Sequence, residues 1–219
     1  MRKLFLSMIA ILTVYISCKA DANKAYRLYL KGKEAYFKQE LDTAKKYFTE
    51  ASEIDPSLIN ARLMLAKTYY FQKNFDEALE ILSSILAENS DHPGSLFWKA
   101  RTLVVMVKEN KNEIAKGESE AVSLLQKVIE LDSHHIGARN LLALLYEKNR
   151  KYREALFEYT AALQEEETLL NTRANLSILY YRLGLKDKAL HEIERALRIA
   201  ECADISTGNL LIIKKEVER

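Results

Sequence analysis

Four histidines, two cysteines and a run of three glutamates are the residues of this chain best able to do chemistry. His134 and His135 are adjacent, so their rings point different ways, and no Cys or carboxylate partner stands at metal-ligand spacing. A solvated turn is their expected role. His92 precedes Pro93 in a second turn, and His191 falls inside a helical pattern. Glu165-Glu166-Glu167 reads as the solvated end of a helix. No phosphate-cradling glycine loop, nucleophile elbow or zinc-protease pattern occurs. No catalytic residue, metal or cofactor is therefore expected, and the chain is read as a non-enzyme.

Charge says little about partners. Lys and Arg number 33 against 31 Asp and Glu, a net +2. Arg2 and Lys3 account for that surplus, so everything after the first 17 residues is neutral. A nucleic-acid binder would carry a basic surplus on one face, and none is indicated. With only 6 Gly and 2 Pro in 219 residues, long helices joined by short turns are expected.

Residues 1–17 read as an export signal. Arg2 and Lys3 precede the mostly apolar stretch from Leu4 to Ile16, which has signal-peptide length and is short for the ~20 residues of a membrane-spanning helix. Ile16-Ser17-Cys18 resembles the end of a bacterial lipobox, with Tyr15 where Leu, Val or Ile is usual. That resemblance implies a palmitate-type acyl anchor on Cys18, with a short linker at 18–24. An ordinary cleavage site or an uncleaved anchor is the alternative. Cys202 would then lack a partner, which argues against a disulfide scaffold; it is expected to be small and partly buried.

Four columns of residues share one period. Gly32, Ala66, Ala100, Ala143 and Ser177 form the first, and Ala44, Ala78, Ala121, Ala155 and Ala189 the second. Phe48, Leu82, Leu125, Tyr159 and Ile193 form the third, and Ala51, Ile85, Val128, Ala162 and Ala196 the fourth. In each column every step is 34 residues except one of 43. A small residue at a helix crossing lets two backbones approach, and large residues one turn away fill the space beside it. The period and residue types resemble the tetratricopeptide repeat (TPR), a helix–turn–helix unit. Tyr69, Tyr146 and Tyr180 match its Tyr column and Pro56 its closing Pro, whereas Ser90, Ser133, Glu167 and Glu201 replace that Pro in later units and Trp98 lies off the usual aromatic column.

The resemblance implies an all-α TPR superhelical solenoid. Its repeats are expected at 25–58, 59–92, 93–135, 136–169 and 170–203, with a capping helix at 204–219. About nine extra residues near 108–117 either lengthen both helices of the third repeat or form a loop, as a tolerated insertion or a contact element. Asp42, Asp76 and Asp187 are expected as N-caps, Pro93 at a first helical position and Gly184 at a helix C-terminus. In the last helix Leu210, Ile213 and Val217 should face the array, leaving Leu211 and Ile212 over.

First helices of such repeats line the concave surface where family ligands dock. By register this face carries Tyr26, Tyr29, Lys33, Tyr36, Leu63, Lys67, Tyr70, Phe97 and Arg101, then Asn140, Asn171 and Tyr181. Aromatic rings beside cations suit a peptide or helix of another protein. Cochaperone members grip a C-terminal carboxylate with Lys, Asn and Arg. Here Tyr29 and Lys33 stand where that clamp wants Lys and Asn, so it is absent. The expected function is a lipid-anchored protein–protein interaction scaffold of the bacterial envelope, with the array in the periplasm. The alternative is an accessory subunit of a transport system that holds a small molecule or hydrophobic tail.

Overall fold

A computed structural model describes residues 21–109, 114–166 and 169–219. The expected export signal, Cys18 and positions 110–113 of the expected insertion lie outside the described residues. Eleven helices account for the regular structure among the described residues: α1 (21–37), α2 (Leu41–Ile54), α3 (Ile59–Phe71), α4 (Phe75–Glu88), α5 (Pro93–Glu109), α6 (Ile114–Leu131), α7 (Ile136–Lys148), α8 (Tyr152–Glu165), α9 (Leu170–Arg182), α10 (Lys186–Cys202) and α11 (Gly208–Glu218). The chain divides into two compact units, Met1–Asn112 with α1–α5 and Glu113–Arg219 with α6–α11. Residues 21–24, which the sequence suggests as linker, are already helical.

All twenty residues of the four columns are buried, and the nineteen other than Gly32 are at most 1% exposed. In the first unit Ala35, Ala44, Phe48 and Leu65 form one cluster, and Leu63, Ala66, Leu82 and Ile85 a second. The second unit repeats the scheme around Ala143, Ala155, Tyr159 and Leu176, then around Ile193, Ala196, Ala200 and Leu210. Helix α11 buries Leu210 and Val217 and leaves Leu211 and Ile212 exposed. Gly32 shows why the first column is small: a Cβ there would lie 2.6 Å from Cε1 of Phe48. Ser177 keeps the column polar without cost, because its hydroxyl donates to the Ala189 carbonyl at 2.8 Å and so leaves no buried orphan.

In four of the pairs the described turn between the helices is closed the same way. The amides of Glu40, Asn74, Lys151 and Leu185 donate to the carbonyls of Ala35, Tyr69, Tyr146 and Tyr180 at 2.8–2.9 Å. This Schellman closure needs one residue in the left-handed region. Gln39, Lys73, Arg150 and Gly184 supply it, with φ of 63°, 64°, 59° and 74°. Three of the four thus adopt a conformation that favours glycine.

Two expectations about caps are corrected. Asp42, Asp76 and Asp187 sit in the first turns of α2, α4 and α10, after N-cap residues Glu40, Asn74 and Leu185 that make no side-chain cap bond. They act on the helix dipole instead. The capping role falls to two histidines: Nδ1 of His92 accepts from the Ser95 amide at 3.1 Å, and Nδ1 of His135 from the Ala138 amide at 3.0 Å. Of the neighbouring pair, His134 faces Glu165 at 2.7 Å. Pro93 and Gly184 stand where expected. Cys202 is exposed rather than partly buried, because it ends α10 beyond the last core turn.

Two tests follow. Gly32→Ala should lower stability by about 1 kcal/mol, since overpacking against Phe48 costs about 1–3 kcal/mol and the gain in helix propensity is only about 1 kcal/mol. Adding Phe48→Leu recreates the Ala66–Leu82 pairing of the second repeat and should recover the loss in urea unfolding; a double mutant no better than the single would refute the crossing argument. The second test concerns His92, whose imidazole burial holds below its usual pKa. Its neutral form is the one that caps, so its contribution is complete above pH ~6.5 and is lost as pH falls through the depressed folded value. His92→Asn, a cap that does not titrate, should therefore flatten the fall of Tm between pH 7.5 and 5.5; an unchanged slope would exclude the histidine cap.

Candidate functional site

Once the columns are buried, a first helix has a second stripe left over. In unit 1 that stripe is aromatic and cationic. Tyr36 and Phe37 end α1, Lys67, Tyr70 and Phe71 end α3, Phe75 opens α4, and Phe97, Trp98 and Arg101 lie along α5. Their rings interlock edge to face. Tyr36 meets Phe71 at 6.0 Å, Tyr70 meets Phe71, Phe75 and Trp98 at 5.3, 5.7 and 5.3 Å, and Phe97 meets Trp98 at 5.9 Å. Such pairs hold each other by quadrupole complementarity.

Two cations sit on this platform. The Arg101 guanidinium lies 5.2 Å from the Tyr70 ring centre and 4.8 Å from that of Trp98, and its Nε donates to the Tyr70 hydroxyl at 3.3 Å. The Lys67 ammonium lies 5.1 Å from the Trp98 centre. Burial lowers the Lys67 pKa and raises that of the Tyr36 phenol, the latter opposed by the Arg101 charge. Among the described residues neither cation pairs with a carboxylate. A desolvated ammonium without a counter-ion is unfavourable, so this surface is suited to receive negative charge. Its rim is apolar, because Phe37 is 73% and Phe71 45% exposed.

The other residues expected on this face divide three ways. At the start of α1, Tyr26 is exposed and lies 5.9 Å from Tyr29, which packs at 6.1 Å on Phe48 and beneath Lys33. Leu63 is corrected to core: it is 9% exposed and packs with Ala66, Leu82 and Ile85, since its position points at the next helix pair. In unit 2 the stripe satisfies itself. Asn140 accepts from the Thr172 hydroxyl at 2.9 Å, and Glu147 accepts from Arg182 at 2.5 Å and from the buried Tyr159 hydroxyl at 3.3 Å. Lys148 pairs with Glu118. Only Asn171 and Tyr181 of the expected set stay exposed there.

Sequence reasoning missed Trp98, Phe71 and Phe37. Trp98 lies off the family's aromatic column, yet it is the shared floor for both cations. Phe37 and Phe71 follow Tyr36 and Tyr70 in the sequence at the same 34-residue step, a signal that was available. Among the described residues no group of His, Cys, Asp and Glu could hold a metal, and no helix is long and apolar enough to cross a membrane.

Residues 38–102 match the tetratricopeptide repeat family. Among curated proteins, the chain is 23% identical over 155 residues to the ancillary SecYEG translocon subunit of Buchnera aphidicola, covering 68% of this chain and 75% of that one. It is 23% identical over 214 residues to a DnaJ subfamily C member 7 homolog of Schizosaccharomyces pombe, covering 84% of this chain but 43% of the relative, so it spans less than half of that protein. Two solved structures share the fold. One is TTC0263, a thermophilic TPR protein of Thermus thermophilus (TM-score 0.71, 20% identity, 88% of this chain and 98% of that one). The other is YrrB, a TPR protein described as having an unusual peptide-binding site (TM-score 0.63, 19% identity, 86% and 90%). The fold is a TPR array of helix pairs.

The desolvation of Lys67 has a direct readout. Reductive methylation with ¹³C-formaldehyde gives each lysine a resonance, and that of Lys67 should titrate below the rest. A Lys67 signal that moves with the exposed lysines would mean the ammonium is not desolvated.

Proposed function

We propose that this chain is a lipid-anchored protein-interaction scaffold of a bacterial cell envelope, docking its partner on the first-helix face of unit 1. One observation carries the reading: a ring platform with two cations that no carboxylate of the described chain neutralises. Rigid aromatics bury large area at low entropic cost, and Tyr, Trp and Arg dominate protein interfaces. A repeat array offers such a surface without a catalytic centre. The likenesses to a translocon subunit and to a peptide-binding TPR protein support a protein partner and a place beside membrane machinery.

The anchor rests on Cys18. Helix is already present at residue 21, so at roughly 3.3–3.6 Å per residue an acylated Cys18 would hold α1 within roughly 10 Å of the bilayer. A scaffold held that close serves a membrane complex better than a soluble ligand. Multiple acyl chains anchor stably where one holds weakly. The alternative, a subunit enclosing a small molecule, is less favoured because the rings that would line its pocket pack against one another.

Cells fed a clickable fatty acid should label the wild-type chain and not Cys18→Ala. A photo-crosslinking residue in place of Tyr26 or Phe37 should capture a membrane-complex partner, whereas one in place of the exposed Phe157 on α8 should not. Absence of label removes the anchor; equal capture at Phe157 removes the docking face.

A further inference from the structure

The unit 1 face is more selective than a hydrophobic patch. Lys67 and Arg101 address one ring, so no more than about 10 Å separates their charged groups. Both are half-buried and recessed among rings. A flat membrane surface is met by protruding lysines and arginines within reach of its headgroups, not by cations sunk between aromatics. A slender acidic side chain can enter where a bilayer cannot. The exposed ring of Phe71 borders the same site at 5.9 Å from Trp98, and that of Phe37 follows beyond Tyr36; a bare inorganic anion would leave both unused. In unit 2 the register positions of Lys67 and Arg101 fall on Leu144 and Ile178, and the cations one turn further on are taken, Arg182 by Glu147 and Lys148 by Glu118.

We propose that the group seated on this face is a carboxylate of an acidic, extended segment of the partner protein, held between Lys67 and Arg101 over Trp98, with a neighbouring apolar side chain of that segment against Phe37 and Phe71. This rests on the docking role of unit 1 and adds the chemistry of its ligand. The carboxylate replaces water around a partly desolvated ammonium, where charge-assisted hydrogen bonds are stronger than on an open surface. The arrangement differs from a C-terminal carboxylate clamp, since it needs no free chain end and uses rings as its floor. Specificity follows from the unpaired cations: a basic or neutral segment would leave them as they are, or repel them.

Trp98 is the sole tryptophan, so its fluorescence reads the site alone. Random decamers displayed on phage are selected on the full chain held in detergent, and a peptide from the pool is synthesised for titration. The expected pool is enriched in Asp and Glu beside Leu or Phe, and its peptide shifts Trp98 emission. Replacing its acids by Asn and Gln should weaken binding at least tenfold, as should Lys67→Met or Arg101→Met in the protein, with affinity falling as salt rises. Arg182→Met in unit 2 should change nothing, and thermal unfolding confirms that each variant is folded. A pool without acid enrichment, or equal binding of acid and amide peptides, overturns the proposal. So does binding to phosphatidylglycerol vesicles that Lys67→Met abolishes while no peptide binds. Cross-linking from Phe37 that persists in Lys67→Met and Arg101→Met would overturn the carboxylate while leaving the docking face standing. Loss of cross-linking in the wild type removes both.

Discussion

The close crossing of paired helices is the constraint on which the rest depends. Two backbones approach only where Gly32, Ala66, Ala143 or Ser177 gives room, and Phe48, Leu82, Tyr159 or Ile193 then closes the space beside it. Packing at this density tolerates little change of volume, so the small and large columns are linked choices. Phe48 goes with glycine, and Leu82 with alanine. Once the crossing is set, the face of each first helix that remains is decided too. That leftover stripe touches the core only at its edge, through residues such as Tyr36 and Trp98, so it is freer to vary than the columns, and it is where the two units differ.

The fold was legible because packing writes itself as a period. All four columns identified from spacing are buried. Local chemistry was harder to read. The first-turn aspartates look like caps two residues out of place, since an N-cap and the second helical position lie so close in sequence that periodicity does not resolve them. The left-handed residues Gln39, Lys73 and Arg150 carry no compositional mark; only Gly184 announces itself. Histidine caps were not anticipated because an imidazole is first weighed as a ligand or a base. Leu63 shows the reverse error: register gave its helix and approximate face, but whether a residue at the edge of that face turns to solvent or to the next pair depends on its neighbours' sizes.

The described helices of the third repeat are longer than most of the others. Helices α5 and α6 have 17 and 18 residues, against 13 or 14 in α2, α3, α4, α7, α8 and α9. Lengthening a helix by a turn keeps its backbone hydrogen-bonded, whereas an exposed loop of the same length must satisfy its own polar groups with water. The boundary between the two compact units falls at this same place, after Asn112. The repeat that departs from the 34-residue step is thus also the one at which packing divides.

The contrast between the units is then a matter of where charge is left over. Both carry cations on the leftover stripe, at Lys67 and Arg101 in one and, a turn further along the helix where unit 1 has Phe37 and Phe71, at Lys148 and Arg182 in the other. In unit 2 each cation meets a glutamate of the same unit, Glu118 or Glu147, so its field is spent internally. In unit 1 the places near Lys67 and Arg101 are taken by Tyr70 and Trp98. A ring face attracts a cation by about 0.5–2 kcal/mol, enough to hold it in place, yet carries no net charge to neutralise it. Aromatic neighbours thereby position the two cations while leaving their charge available, which an ion pair cannot do. A surface built this way is ordered before its partner arrives and gains most from one that brings the missing negative charge.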